Sequence, residues 1–295
     1  MRQEFREAKN PFVRKGSAAI LRGTKTIALN SGRQRFQTGK YSGLLVNSFP
    51  KSGTHLLSQI VGALPGTQDR GEFIASTPSI TMRRKPDSST ARRLSRTLDG
   101  EVVMGHLFWS EAASSVLQDQ GIASYFIYRD PRDVVVSEAR YLTYMNKWHR
   151  MSRSYRALPD DDERLMLSIL GSRDGSALED YPDIAARFSH YQGWISDPST
   201  LSMRFEDLRG PALPETVKAI VVHYLERSSG PVLPAKVEAI AQDCMLAIDP
   251  RRSHTFRKSE PGGWREHFSS EHIEAFKQVA GDLLVRLNYE RDLSW

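Results

Sequence analysis

Four short apolar runs are spaced along the chain, with helix-capable segments between and after them. Residues 44–49 (LLVNSF), 101–107 (EVVMGHL), 122–128 (IASYFIY) and 200–205 (TLSMRF) have the length and the aliphatic and aromatic content of buried strands. The segment LLSQIVGAL that follows the first run, and the stretches 111–119, 131–146 and 181–195, carry helical patterning. Beyond residue 205 the pattern is helical only, at 213–227, 233–246 and 270–289, with proline- or glycine-containing turns between. This alternation predicts an α/β fold with a central, mostly parallel β-sheet flanked by helices.

Two stretches interrupt the rhythm. Residues 147–180 are rich in arginine and aspartate and contain Gly171 and Gly175, so they read as a surface excursion, either a solvated loop or a lid over a site. Residues 81–99 hold Arg83, Arg84, Lys85, Arg92, Arg93 and Arg96; they read as a solvated mobile loop, with contact to an acidic ligand or partner as the alternative.

Composition narrows the picture. A chain of 295 residues with 39% hydrophobic content can bury a substantial core, and no repeat or Gly/Ser-rich segment divides it, so one domain over residues 1–295 is expected. The net charge of +6, from 41 Lys and Arg against 35 Asp and Glu, favours an anionic ligand. The excess is small for a nucleic-acid binder and no reading motif accompanies it, so no nucleic-acid partner is expected. Cys244 is the single cysteine, which excludes an intrachain disulfide framework and favours a buried thiol in a cytoplasmic protein. No run reaches the apolar length needed to span a bilayer. Residues 12–29 leave peripheral contact with an anionic membrane open, although Gly16 and Gly23 weaken that helix.

The first segment with chemical content is Pro50-Lys51-Ser52-Gly53-Thr54, which joins the first strand directly to its helix. Such a junction brings backbone N–H groups, a helix N-terminus and one ammonium to a single point, as a phosphate-like anion requires. A standard Walker A loop places its lysine after a longer glycine-containing stretch. Here Lys51 comes first, so the loop is P-loop-like and ordinary ATP binding is not its natural reading. Turn chemistry alone would also account for Pro-Lys-Ser-Gly.

A second segment, residues 125–140 (YFIYRDPRDVVVSEAR), places Asp130 as the cap of a helix with Pro131 in its first turn. Arg129 is then left at a strand tip and Ser137 lies about two turns into the helix, so both can converge on one anion. Arg132 and Asp133 read instead as members of local helix-end or surface ion pairs. In a third segment, residues 254–268 (HTFRKSEPGGWREHF), the adjacent cations Arg257 and Lys258 precede a flexible turn and Trp264, an arrangement able to fold over a phosphate.

In this order and combination the three segments resemble the PAPS-dependent sulfotransferase family. Lys51-Ser52-Gly53-Thr54 is similar to its 5′-phosphosulfate loop, Arg129 and Ser137 to its 3′-phosphate pair, and Arg257-Lys258 with Gly262-Gly263-Trp264 to its carboxyl-terminal cofactor motif. The resemblance covers roughly residues 42–285. It implies a P-loop-like three-layer fold, the donor 3′-phosphoadenosine 5′-phosphosulfate (PAPS), the product adenosine 3′,5′-bisphosphate (PAP), no catalytic metal, and a hydroxyl-bearing small molecule or carbohydrate as acceptor.

His106 ends the EVVMGHL run on the same strand-tip side as Lys51 and Arg129, and it resembles the family's catalytic histidine. A neutral imidazole there can take the acceptor's hydroxyl proton. The resemblance further implies that Lys51 stabilises the transferring charge, that the loop from Ser52 through His55 holds the 5′-phosphate, and that Ser137 can contact and restrain Lys51. Phe205, in Arg204-Phe205-Glu206-Asp207, is either an adenine-side surface or a buried aromatic.

The chain departs from the family pattern at several points. Met104 and Phe108 replace the lysine and proline that flank the histidine in cytosolic small-molecule members, Leu56 takes the position of an adenine-stacking tryptophan, and Ser259 replaces a glycine after Arg257-Lys258. Glu72 is a surface residue or a second acid–base group, and Trp264, Trp194 and Trp295 read as core or interface aromatics. A nucleoside-phosphate phosphotransferase and a non-catalytic nucleotide-binding protein are the alternative functions, and a homodimer is left open.

Overall fold

The computed structural model describes residues 40–172, 181–229, 232–249 and 260–295. Five strands, β1 (Leu44–Ser48), β2 (Gln68–Ala75), β3 (Glu101–His106), β4 (Ala123–Tyr128) and β5 (Thr200–Arg204), form a parallel sheet in the order β2-β3-β1-β4-β5. Strand β1 is central and buried along its whole length, in register with β3 through Leu44 and Val102 and with β4 through Leu44 and Ala123.

The two-residue period of the strands sorts side chains to opposite faces and creates two cores. Leu45, Val103 and Phe126 face one, covered by α3 (Glu111–Asp119), α4 (Pro131–Arg140), α6 (Asp161–Leu170), α7 (Ile184–Ser196) and α10 (Ser270–Arg286). Leu44, Val46, Tyr125 and Ile127 face the other, covered by α1 (Thr54–Gly62), α8 (Leu213–Glu226) and α9 (Pro234–Leu246). The result is the three-layer α/β arrangement expected from the alternation. Cys244 is buried in the second core, where burial pushes its thiol up to about 12 and leaves it unreactive at neutral pH.

After β1 the chain moves to β2 and β3 on one side, then crosses to β4 and β5 on the other. The carboxyl end of β1 therefore lies at the reversal of strand order, between the ends of β3 and β4, where open α/β sheets form a crevice.

Four expectations need revision. Residues 68–75 form edge strand β2, which the sequence patterning did not suggest. Its register shifts between Asp69 and Phe73, where the Asp69 carboxylate accepts the Gly71 N–H at 2.9 Å. Within the basic stretch 81–99, residues Asp87–Leu94 form helix α2, anchored by buried Thr90, Ala91 and Leu94. The described part of the excursion is also helical, as α5 (Ser152–Ala157) and α6, with Met151, Tyr155, Leu165 and Ile169 in the interior rather than in a solvated loop. Finally, the helix expected over 131–146 is α-helical only to Arg140. Tyr141–Met145 is a π-helical turn, in which the Thr143 hydroxyl donates to the Ala139 carbonyl at 2.7 Å. Among the described residues no helix is long and apolar enough to cross a membrane.

Candidate active site

The loop leaving β1 is held in an unusual backbone shape. Lys51 has φ 69° and Gly53 has φ 100°, so the chain turns through the left-handed region twice before α1 begins at Thr54. Gly53 is required sterically as well, because a Cβ there would lie 2.6 Å from the Phe205 ring. The loop thus brings Lys51, Ser52, Thr54 and the first N–H groups of α1 to the carboxyl end of the sheet.

His106, at the last position of β3, is fixed by two polar residues that interrupt the apolar strand β1. The Asn47 side chain donates to the Leu107 carbonyl at 2.9 Å and accepts the Leu107 N–H at 2.8 Å, which holds the end of β3 against β1. Ser48 meets the ring itself: His106 Nδ1 lies 3.1 Å from the Ser48 carbonyl oxygen and 3.1 Å from Ser48 Oγ, which is 2.6 Å from Thr54 Oγ1. A carbonyl only accepts, so Nδ1 carries the proton and Nε2 keeps its lone pair. Burial pushes this imidazole down to about 4, with the bond to Ser48 opposing that shift and the Lys51 and His55 charges adding to it. Near neutral pH the ring is uncharged and able to accept a proton.

Lys51 reaches across the sheet end toward α4. Its ammonium sits over the Tyr141 ring, 3.8 Å from the centroid, and makes no hydrogen bond to Ser137. The contact with Tyr141 replaces the Lys51–Ser137 contact expected from the sequence. Burial pushes Lys51 down to about 8; the nearby Glu138 carboxylate opposes this and the Arg129 guanidinium adds to it.

Arg129, at the tip of β4, is 5% exposed and lies over the Phe205 ring, 4.6 Å from its centroid. One guanidinium nitrogen pairs with Asp133 at 3.2 Å, while its Nε and the buried Ser52 Oγ have no hydrogen-bond partner among the described residues. Buried donors without partners are costly, so each of the two is a candidate anion contact.

Asp133 is buried and does more than pair with Arg129. Its carboxylate accepts the main-chain N–H groups of Gly262 and Trp264, both at 2.9 Å. Arg132, also buried, pairs with Asp130 and Glu290 and is sandwiched between Trp264 and Trp295. Both make the local helix-end pairs expected of them, Arg132 with the cap Asp130 and Asp133 with Arg129, but these pairs are buried rather than at the surface. Together they fasten the Gly262-Gly263-Trp264 turn to the start of α4, beside Arg129.

Lys51, Gly53, Thr54, His55, His106, Arg129, Ser137 and Phe205 line one cavity of about 910 Å³, with Ser52 buried behind them. His55 is exposed, and Phe205 is buried against Gly53. Arg257 and Lys258 lie outside the described residues. The Glu72 side chain is largely covered rather than exposed, with its carboxylate bound by Arg93. Reasoning from the sequence missed Asn47, Ser48, Glu138 and Tyr141. For the first two a signal existed, since they are polar residues within a strand buried on both faces.

Comparisons with known proteins converge. The family model for the sulfotransferase domain matches residues 42–287. Sulfotransferase 2A6 of Mus musculus is 25% identical over 259 residues, covering 82% of this chain and 84% of that protein. Sulfotransferase 6B1 of Danio rerio is 29% identical over 183 residues, and that match spans 54% of its length. Among solved structures, mouse sulfotransferase SULT7A1 complexed with PAP superposes with a TM-score of 0.55 at 18% identity, covering 85% of this chain and 88% of that one. Retinol dehydratase in a complex with retinol and PAP gives a TM-score of 0.50 at 15% identity, covering 82% of this chain and 80% of that one. These two share the fold.

Proposed function

The chain belongs to the sulfotransferase family and is an enzyme that transfers sulfonate to a hydroxyl-bearing acceptor, and from that premise we propose that its donor is PAPS, that His106 is the general base and that Lys51 is the electrostatic catalyst. The observation that carries this reading is the convergence, at the carboxyl end of β1, of a neutral His106 with a free Nε2 lone pair and a desolvated Lys51 cation.

The residues present fit the donor. Ser52, Gly53, Thr54 and His55, with the first N–H groups of α1, would hold the 5′-phosphate, and the orphaned Ser52 Oγ supports that assignment. Arg129, with its unpartnered Nε, and Ser137 would hold the 3′-phosphate, joined by Arg257 and Lys258 from the segment that leads to the Asp133-anchored turn. Phe205, beneath Arg129, would support the nucleotide side of the cavity. When bound, the donor supplies an activated sulfonate. His106 Nε2 takes the proton of the acceptor hydroxyl as its oxygen attacks, and Lys51 supplies positive charge where negative charge grows on the leaving phosphate. The Nδ1 bond to Ser48 fixes the ring and stabilises the imidazolium that forms.

The decisive experiment is calorimetric binding of PAP against adenosine 5′-monophosphate at matched salt and pH. A strong preference for the bisphosphate is expected. Equal affinities would overturn the donor assignment.

A further inference from the structure

The cavity holds cations besides the two assigned to the donor, Lys51 and Arg129. Of the six Lys or Arg side chains that line it, Arg187 pairs with Glu138 at 3.0 Å, Arg129 with Asp133, Arg93 with Glu72 and Arg84 with Asp87, while Lys51 and Lys85 form no salt bridge among the described residues. Arg84, Lys85 and Arg93 belong to the side of β2 and β3, away from Lys51 and Arg129 on the loop after β1 and the tip of β4.

Hydrogen bonds fix where this second group stands relative to His106. The Ser76 N–H donates to the His106 carbonyl at 3.0 Å, and the Ser76 carbonyl accepts the Lys85 N–H at 2.8 Å. The Ser76 hydroxyl also accepts the Phe108 N–H at 2.9 Å. One residue therefore ties the base, the aromatic beyond it and the backbone of Lys85 into a single unit. Between the two ends lies an apolar wall. Phe73 meets the His106 ring edge-on with centroids 5.2 Å apart, and Phe108 stacks on His190 at 4.5 Å.

The three cations are not equivalent. Arg93 is engaged by Glu72 and by the Phe73 carbonyl at 3.0 Å, so it positions Phe73. Arg84 lies over the Phe108 ring at 5.3 Å and touches Asp87 only at 3.3 Å, with both side chains well exposed. Lys85 forms no salt bridge among the described residues, and burial together with the neighbouring Arg93 charge pushes its ammonium down, with Glu72 opposing. An electropositive corner of this kind gains from an incoming anion.

We infer that the acceptor is a hydroxylated, largely apolar compound that carries an acidic group, its hydroxyl presented to His106 and its anion held by Lys85 and Arg84. This deepens the sulfotransferase reading and rests on it. Charge at the far end of the acceptor gives direction: with the anion at Lys85, the hydroxyl end of the molecule is the end that meets the base.

The test uses matched pairs, phenolic and alicyclic hydroxy acids and their methyl esters, with PAPS as donor, alongside PAP binding by calorimetry. The acids should exceed their esters in kcat/KM by about two- to fivefold, the size of one partly exposed charge pair. Lys85→Glu should abolish or reverse that ratio, and Lys85→Arg should keep it. A loss of fold in Lys85→Glu would show as lost PAP binding, and the ratio in Lys85→Met would then decide. If PAP binds and no acid surpasses its ester, the inference fails while the sulfotransferase reading stands. If PAP does not bind the unaltered protein, both fail.

Discussion

His106 Nδ1 and the Ser48 carbonyl oxygen are 3.1 Å apart, and this contact decides which ring nitrogen serves as the base. With Nδ1–H committed to Ser48, proton acceptance falls to Nε2, and the ring enters the reaction already oriented. His106→Ala removes the base without touching the residues assigned to the phosphates. Its kcat should fall by about 10²- to 10⁴-fold, the usual worth of a general base, with the PAP dissociation constant within about threefold of the original. Steady-state kinetics and calorimetry on the same preparation check this, and an undiminished kcat would remove His106 from the mechanism.

Asp133 shows why the two ends of the cofactor side are coupled. Its two oxygens accept from Gly262 and Trp264 while one also pairs with Arg129, so both oxygens are engaged. In Asp133→Asn an amide NH₂ must face one of those N–H groups, and the Arg129 charge loses its counterion. A loss of about 2–4 kcal/mol in unfolding free energy is expected, together with weaker PAP binding, because the turn that follows Lys258 is no longer anchored. Denaturant titration and calorimetry measure the two effects; wild-type values for both would mean that the turn is held by other contacts.

The parts of this molecule legible in the sequence are those governed by local rules. Strands β1, β3, β4 and β5 announce themselves as apolar runs, and the loop at Lys51 is recognisable because a strand end, a glycine and a helix start are adjacent in the chain. Strand β2 was hidden for a physical reason. It lies at a sheet edge, carries Gln68, Asp69, Arg70 and Glu72, and is bulged at Gly71, so no clean alternation survives. The roles of Asp133 and Arg132 were hidden by distance, since their partners Gly262, Trp264 and Glu290 lie well over a hundred residues away. Their local helix-end pairs, with Asp130 and Arg129, were legible, whereas the tertiary pairing that permits their burial was not. Lys51 was legible as a cation but not its resting place over Tyr141, which depends on the π-helical turn after Arg140.

Gly53→Ala tests the loop. The substituted residue would have to hold φ near 100° and place its Cβ 2.6 Å from Phe205, beneath Arg129. Both the left-handed backbone and the clash oppose it, so the protein should lose about 2 kcal/mol or more, and PAP affinity should drop with it. Thermal unfolding with and without PAP measures both, and an unaffected variant would show that the loop does not depend on this conformation.

Acid should weaken the fold through its buried histidines. Burial pushes both His106 and His223 down to about 4 from an ordinary value near 6.5. The unfolded chain therefore binds protons that the folded chain refuses. Stability is fully present above pH 6.5 and is lost as pH falls toward 4, by up to roughly 3 kcal/mol for each histidine. Urea unfolding from pH 7.5 to 4 should show that decline, and His223→Gln should flatten part of it. A stability independent of pH across this window would mean that both rings are solvated enough to protonate freely.

Lys51 gives the opposite signature in alkali. Because burial pushes its ammonium down to about 8, only about half of the free enzyme carries this charge at pH 8. An anion placed against it favours the charged form, so PAP binding at pH 8 should draw in up to about half a proton, while at pH 6.5 the lysine is already charged and contributes no uptake. The phosphates cannot mimic this at pH 8, where they are fully ionised and contact with cations only favours that state. Calorimetry in buffers of different ionisation enthalpy reads the uptake directly. In Lys51→Arg, whose guanidinium stays charged across this range, the uptake should vanish and the alkaline fall in kcat/KM near pH 8 should move upward. Binding at pH 8 without proton uptake would place the bound anion away from Lys51.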